Sequence, residues 1–215
     1  MKVIPNFVVF EGGDGCGTST QLDLLRRRFA AAEEGAPGGL PVLHGTSEPT
    51  RGPVGALIRE ALGGKLTLRP ETLARLFSAD REEHLFCREG VVERCGRGEL
   101  VVCDRYVLSS LAYQSIACGE DLPLLLNQDF PPPELLLYFD LDPDIAVKRM
   151  EKRREREIFE YRDFQVQVRE RYLGLLPRYA RGGTRIVTID ASQGPEKVAE
   201  DLWSALKEMP IFVNR

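Results

Sequence analysis

The chain has 215 residues, a formal net charge of −4, and 43% hydrophobic against 29% charged residues. That balance suits one domain, 1–215, with a substantial core, and it excludes a general nucleic-acid binder, whose footprint would be basic. No 18-residue apolar run occurs and the N-terminus has no signal-peptide core, so no membrane span is expected and the expected compartment is the cytoplasm. The five cysteines (Cys16, Cys87, Cys95, Cys103 and Cys118) form no C-x-x-C pair, and only His44 and His84 could join them. Neither zinc nor a disulfide framework is expected; scattered core thiols are.

The first predicted element is a buried strand over Phe7-Val8-Val9-Phe10. After Glu11, four glycines among six residues, Gly12-Gly13-Asp14-Gly15-Cys16-Gly17, form a tight loop, and a helix begins at Thr18 and runs to about Ala32. Strand, Gly-rich loop and helix N-terminus bring backbone N–H groups to one spot, an anion site shaped for di- or triphosphate. The spacing is that of a P-loop, G-x-x-x-x-G-K-[ST], with Gly12, Gly17 and Ser19 in place and Thr20 following. Thr18 stands where lysine would put a point charge on the phosphates, and it offers only a hydroxyl. Cys16 lies inside this loop, a place open to modification.

A breaker segment around Pro37-Gly38-Gly39 leads to a short second strand, Pro41-Val42-Leu43-His44. Strand, helix, strand is a βαβ unit and favours a parallel sheet with helices on both faces. Next comes the loop Ser47-Glu48-Pro49-Thr50-Arg51-Gly52-Pro53, which carries one cation, Arg51. A helix with apolar Val54, Leu57, Ile58, Ala61 and Leu62 follows. In the next helix, Pro70 to Glu89, Phe77 and Arg81 share a face with His84 close above them. That face suits a flat heterocycle, by stacking and hydrogen bonds, or it is a core Phe with a surface Arg.

A third strand, Glu99 to Cys103, ends in Asp104-Arg105-Tyr106. In an open parallel sheet ligands bind beyond the carboxyl ends of strands, so Asp104, Arg105, the Gly-rich loop and the Arg51 loop fall on one rim. Asp104 there can hold Mg²⁺ or receive a proton. Ser109, Ser110, Tyr113 and Gln114 open a helix on the same rim. Pro131-Pro132-Pro133 precedes a buried fourth strand, Leu135 to Phe139, and a helix from Pro143 runs into Arg149 and the charged stretch to Arg156. That stretch reads as a solvated helix or as a basic lid supplying the charge that Thr18 lacks. A helix over about Phe159 to Tyr179, a fifth strand Arg185 to Ile189, Asp190-Ala191-Ser192 and a helix from Pro195 to Lys207 complete the chain.

Taken in order, FEGGDGCGTSTQ, SEPTRGPVGALIRE, LFSADREEHL, VVCDRYVLSSLAYQ, LLLYFDLDPDIAVKRM and IDAS resemble the thymidylate kinases over nearly the whole chain. The resemblance implies a P-loop nucleoside monophosphate kinase fold: a three-layer α/β sandwich with a five-stranded parallel sheet flanked by helices. It implies phosphoryl transfer from ATP to dTMP, Mg²⁺ as cofactor and a homodimer. It places Gly12, Gly13, Gly15, Cys16, Gly17, Thr18, Ser19 and Thr20 around the ATP phosphates, with Ser19 and Asp104 at the metal. Arg149, Ala191 and Ser192 would lie near adenine. On the acceptor side it implies Asp14 near the sugar hydroxyl, Glu48 and Pro49 in the substrate loop, and Arg51 and Arg105 on the acceptor phosphate. Phe77 and Arg81 would meet thymine, and Ser110, Tyr113 and Gln114 would complete the nucleoside pocket. Family forms with glycine where Gly15 stands tend to carry their catalytic basic residue in the lid, about 150–160, and Arg153, Arg154 and Arg156 fit that form. Two other readings stay open: a nucleotide-binding homologue with little catalysis, motivated by Thr18, and a kinase for dUMP or another pyrimidine monophosphate.

Overall fold

The computed structural model describes residues 2–35, 39–151 and 162–213. Five strands form one parallel sheet: β1 (Ile4–Gly12), β2 (Leu43–Ser47), β3 (Leu100–Asp104), β4 (Pro133–Asp140) and β5 (Arg185–Asp190), in the order β2-β3-β1-β4-β5. Among the described residues, helices follow as α1 (Thr18–Gly35), α2 (Pro53–Leu62), α3 (Pro70–Phe86), α4 (Val91–Gly96), α5 (Val107–Cys118) and α6 (Asp121–Asn127). The chain continues through α7 (Pro143–Met150), α8 (Arg162–Ala180), α9 (Pro195–Lys207) and α10 (Pro210–Val213).

The central strands read as unbroken apolar runs because both faces of the sheet are covered. Val8, Phe10, Leu135, Leu137 and Phe139 point to one side, where they pack with residues of α1, α7 and α9. Their neighbours Phe7, Val9, Leu136 and Tyr138 point to the other, toward α4, α5 and α8. A smaller cluster of Ile58, Ala61, Leu62 and Leu73 joins α2 to α3, with Phe77 packed against it.

The five-stranded parallel sheet flanked by helices agrees with the expected fold class, with shifts at the ends of elements. Strand β2 starts at Leu43, not Pro41, and extends to Ser47, because its partner in β3 begins at Leu100 and continues to Asp104. Helix α3 stops at Phe86, three residues short of Glu89, because Cys87 turns to the extended region and Gly90 reverses the chain into α4. A Cβ on Gly90 would lie 2.8 Å from two backbone oxygens, so only glycine fits that reversal. The short helices α4, α6 and α10 are too brief to show an apolar period. Among the described residues no helix is long and apolar enough to cross a membrane.

Candidate active site

β1 lies between β3 and β4, so the chain leaves its carboxyl end at the point where strand order reverses, the usual place for a ligand in an open α/β sheet. The loop from Gly12 to Gly17 occupies that point. Gly15 has φ +80° and Gly17 φ +94°, backbone that side chains rarely adopt. At Gly15 a Cβ would also meet the Ala146 carbonyl at 2.9 Å, so the loop can approach α7 this closely only without a side chain. Cys16 is buried, and burial pushes its thiol up to about 11. The thiol is therefore protonated at neutral pH and shielded, which removes it as a modification site.

At the first turn of α1, Ser19 Oγ donates to Asp104 Oδ2 at 2.6 Å. Asp104 is 7% exposed, and its Oδ1 is buried with no hydrogen-bond partner among the described residues. A hard, oxygen-liganded cation fits such a carboxylate and hydroxyl pair, and Mg²⁺ is held in this way beside phosphates. Thr18 is buried at the start of the same helix.

The Asp104-Arg105-Tyr106 turn brings the next charges in. Arg105 has φ +72°, and its N–H donates to the Phe10 carbonyl at 2.8 Å. Its guanidinium donates to the Gly12 carbonyl at 3.0 Å and pairs with Asp14 Oδ1 at 2.6 Å. Burial works against this charge, but Tyr113, Asp14 and Tyr172 outweigh it and raise its pKa. Asp14 is held a second time by Gln165 of α8, whose Oε1 accepts from the Asp14 N–H at 3.1 Å and whose Nε2 donates to Oδ2 at 2.8 Å.

The Arg51 loop is built from below. Asp80 of α3 accepts the Thr50 N–H at 2.7 Å and the Thr50 hydroxyl at 2.6 Å. Arg59 of α2 donates to the Pro49 and Thr50 carbonyls, and the Glu48–Pro49 peptide is cis. Gly55 lets the loop lie on α2, since a Cβ there would fall 1.9 Å from the Thr50 oxygen. Arg51 itself is exposed on top.

Arg81 differs from the alternative of a surface arginine: its side chain is 1% exposed. It pairs with Glu48 Oε2 at 2.7 Å, donates to Ser110 Oγ at 3.0 Å and also donates to Asn127 Oδ1. Burial opposes the charge, and Glu48 more than compensates, so its pKa is raised. His84 completes the cluster, with Nδ1 3.0 Å from Glu48 Oε1 and Nε2 2.9 Å from Thr46 Oγ1. Gln114 is buried on α5, and its Oε1 has no hydrogen-bond partner among the described residues. Tyr113 lies under the Arg105 guanidinium, 5.2 Å from ring to cation.

On the other flank, Arg149 of α7 donates to the Ala191 carbonyl at 2.9 Å and reaches the Gly15 and Ser192 carbonyls at 3.5 Å. It thus joins the phosphate loop to the loop after β5. Arg153, Arg154 and Arg156 lie outside the described residues.

A P-loop pocket is common to many phosphotransferases; the comparisons narrow the choice. The family model described as thymidylate kinase matches residues 10–202. This chain belongs to the thymidylate kinase family. A protein named putative thymidylate kinase from Treponema pallidum is 38% identical over 211 residues, covering 97% of this chain and 98% of its own. One named probable thymidylate kinase from Pyrobaculum aerophilum is 39% identical over 208 residues, covering 96% and 98%. A third, named putative thymidylate kinase, from Aeropyrum pernix, is 37% identical over 203 residues, covering 94% and 93%. Like the rest of this family, the chain is a nucleoside monophosphate kinase with ATP as phosphate donor.

Residue-by-residue reading missed Glu11, Asp80, Asn127, Gln165 and Tyr172, which hold the expected ligand-facing groups in place. Glu11 left a signal: it is a charged residue at the end of an otherwise apolar strand. Gln165 and Tyr172 sit in a polar-looking helix and left none.

Proposed function

We propose that the chain transfers the γ-phosphoryl group of ATP to dTMP, giving ADP and dTDP, as one domain spanning 1–215. The observation that carries this reading is the meeting of three polar units at one end of the sheet. They are the phosphate loop with its Ser19–Asp104 pair, the Asp14–Arg105 pair, and the buried Glu48–Arg81–Ser110 cluster.

In this reading the backbone from Gly12 to Thr20 cradles the ATP phosphates, while Arg149 with Ala191 and Ser192 borders adenine. Ser19 and Asp104 would hold Mg²⁺, which when bound offsets phosphate charge. Arg51 and Arg105 draw the dTMP phosphate in, and Asp14 meets the sugar hydroxyl. Phe77 stacks on thymine, Arg81 reads its edge, and Ser110, Tyr113 and Gln114 close the nucleoside. Glu48 keeps Arg81 charged and aimed, and Pro49 shapes the loop beside it. An oxygen of the acceptor phosphate attacks the γ-phosphorus; the bond from that phosphorus to the β–γ bridging oxygen breaks, and its electron pair leaves with ADP. A phosphate monoester has a second pKa near about 6 and is already ionised at neutral pH, so no general base is required. Positioning and positive charge do the work. Thr18 supplies no charge, so the transition-state cation comes from Arg153, Arg154 or Arg156.

The test is ADP release from ATP and Mg²⁺ with dTMP, dUMP, UMP and CMP in parallel. Turnover selective for dTMP is expected; no turnover with any monophosphate would sink the reading. A homodimer is part of the proposal. Its support is the layer in which α3 packs against both α2 and α6, which leaves Leu57 39% and Leu125 61% exposed. Light scattering should give twice the chain mass, and Leu125→Glu should lower it.

A further inference from the structure

Glu11 is the last residue before the phosphate loop's first glycines, and its side chain is 0% exposed. Its Oε1 accepts the backbone N–H of Tyr106 at 3.0 Å and of Ser109 at 3.2 Å. Its Oε2 lies 2.6 Å from Ser109 Oγ and 2.9 Å from Tyr172 Oη, and those two hydroxyls are 2.8 Å apart. All four groups belong to protein elements, so Glu11 is turned away from any ligand. The backbone it grips is the far side of the Asp104–Arg105 turn. On the near side the Arg105 N–H is fixed by the Phe10 carbonyl. Between these two anchors Arg105 sits at φ +72°, a conformation that is strained for a non-glycine residue and persists only where the surroundings impose it. Tyr172 adds α8, the helix whose Gln165 grips Asp14.

We propose that Glu11 is a positioning residue for the acceptor side: one buried carboxyl that locks the Arg105 turn to β1 and to α8, and so aims Arg105 and Asp14 at the acceptor nucleotide. The inference rests on the dTMP kinase reading. Proton counting specifies how the lock is made. Three oxygens, Glu11 Oε2, Ser109 Oγ and Tyr172 Oη, make three mutual contacts. With Glu11 neutral the three groups carry three protons for three contacts, whereas with Glu11 ionised they carry two and one contact is left without a proton; the Arg105 guanidinium also donates to Ser109 Oγ, at 3.4 Å. Burial raises the Glu11 pKa, in the same direction, against the lowering by Ser109, Tyr172 and Arg105. Glutamine would then be a conservative replacement, with a carbonyl for the two backbone amides and an N–H for the hydroxyls.

The experiment compares wild type, Glu11→Ala and Glu11→Gln in steady-state kinetics and in amide hydrogen exchange. Glu11→Ala should raise KM for dTMP by about tenfold or more while KM for ATP stays within about twofold. Glu11→Gln should return KM for dTMP to within about threefold of wild type. The Tyr106 and Ser109 amides should exchange faster in Glu11→Ala with β1 protection unchanged. Unchanged dTMP kinetics and unchanged exchange in Glu11→Ala would overturn the proposal. So would a Glu11→Gln variant as impaired as Glu11→Ala, since charge rather than the hydrogen-bonded lock would then matter. A wild type unable to turn over dTMP would remove the kinase reading, and the exchange arm would still decide whether Glu11 holds the turn.

Discussion

The two halves of the proposed site, acceptor and donor, are built in different ways. On the acceptor side the charged side chains are each held by a second, mostly buried group: Arg81 by Glu48 and Asn127, Asp14 by Arg105 and Gln165, the Arg51 loop by Asp80 and Arg59. On the donor side the described contacts are mainly backbone. Gly15 and Gly17 shape the loop, Arg149 braces it through carbonyls, and Thr18 stands where a phosphate-binding lysine would. The difference follows from what each half must do. In the proposed function the acceptor pocket would read a base and fix one phosphate, which needs preorganised polar groups. The donor half would cradle a chain of phosphates, which backbone N–H groups do without side chains.

Substitutions should separate the halves. The largest effect is expected from Arg81→Ala, which leaves Glu48 buried without its cation. Unfolding free energy should fall by about 3–5 kcal/mol, and kcat/KM for dTMP should fall much more than KM for ATP rises. Denaturant unfolding and paired kinetics check both, and equal damage to the two substrates would break the comparison. Next is Gly55→Ala. The added methyl enters the space of the Thr50 carbonyl and must push the Arg51 loop off α2. We expect KM for dTMP to rise by roughly tenfold, the scale of a misplaced positioning group, with little change for ATP. The smallest effect is expected on the donor side. Arg149→Ala removes contacts to three carbonyls, and KM for ATP should rise by about two- to fivefold, the scale of about one net hydrogen bond, with dTMP unaffected.

Much of this was legible in the sequence, for identifiable reasons. The Gly-rich loop is local: glycines, Ser19 and the strand before them lie in one stretch, so spacing alone specifies the strand, loop and helix start. Asp104 and Arg105 could be placed because they end an apolar strand, and strand ends share a rim in a parallel sheet. The supporting layer could not be read this way. Glu48 meets Arg81 across 33 residues, Asn127 lies 46 from Arg81, and Gln165 reaches Asp14 across 151. Those pairings are set by how helices pack, and no local pattern encodes them. For the same reason Arg81 could be read as a surface residue: four positions along a helix fix which face it shares with Phe77, not what covers that face. Helices α4 and α6, at six and seven residues, gave no apolar period to detect.

We propose dTMP phosphorylation by this chain although Thr18 occupies the lysine position. It is tested most directly by comparing ADP release with ATP, Mg²⁺ and dTMP for wild type and Thr18→Lys. Removing one oriented transition-state donor typically costs about 10²–10³ in rate, and in the proposed function Arg153, Arg154 or Arg156 supplies the missing charge. The expected result is dTMP-dependent turnover by the wild type, with Thr18→Lys raising kcat by less than about tenfold. Turnover that emerges only in Thr18→Lys would contradict it, leaving a fold and a pocket that bind nucleotides without transferring phosphate.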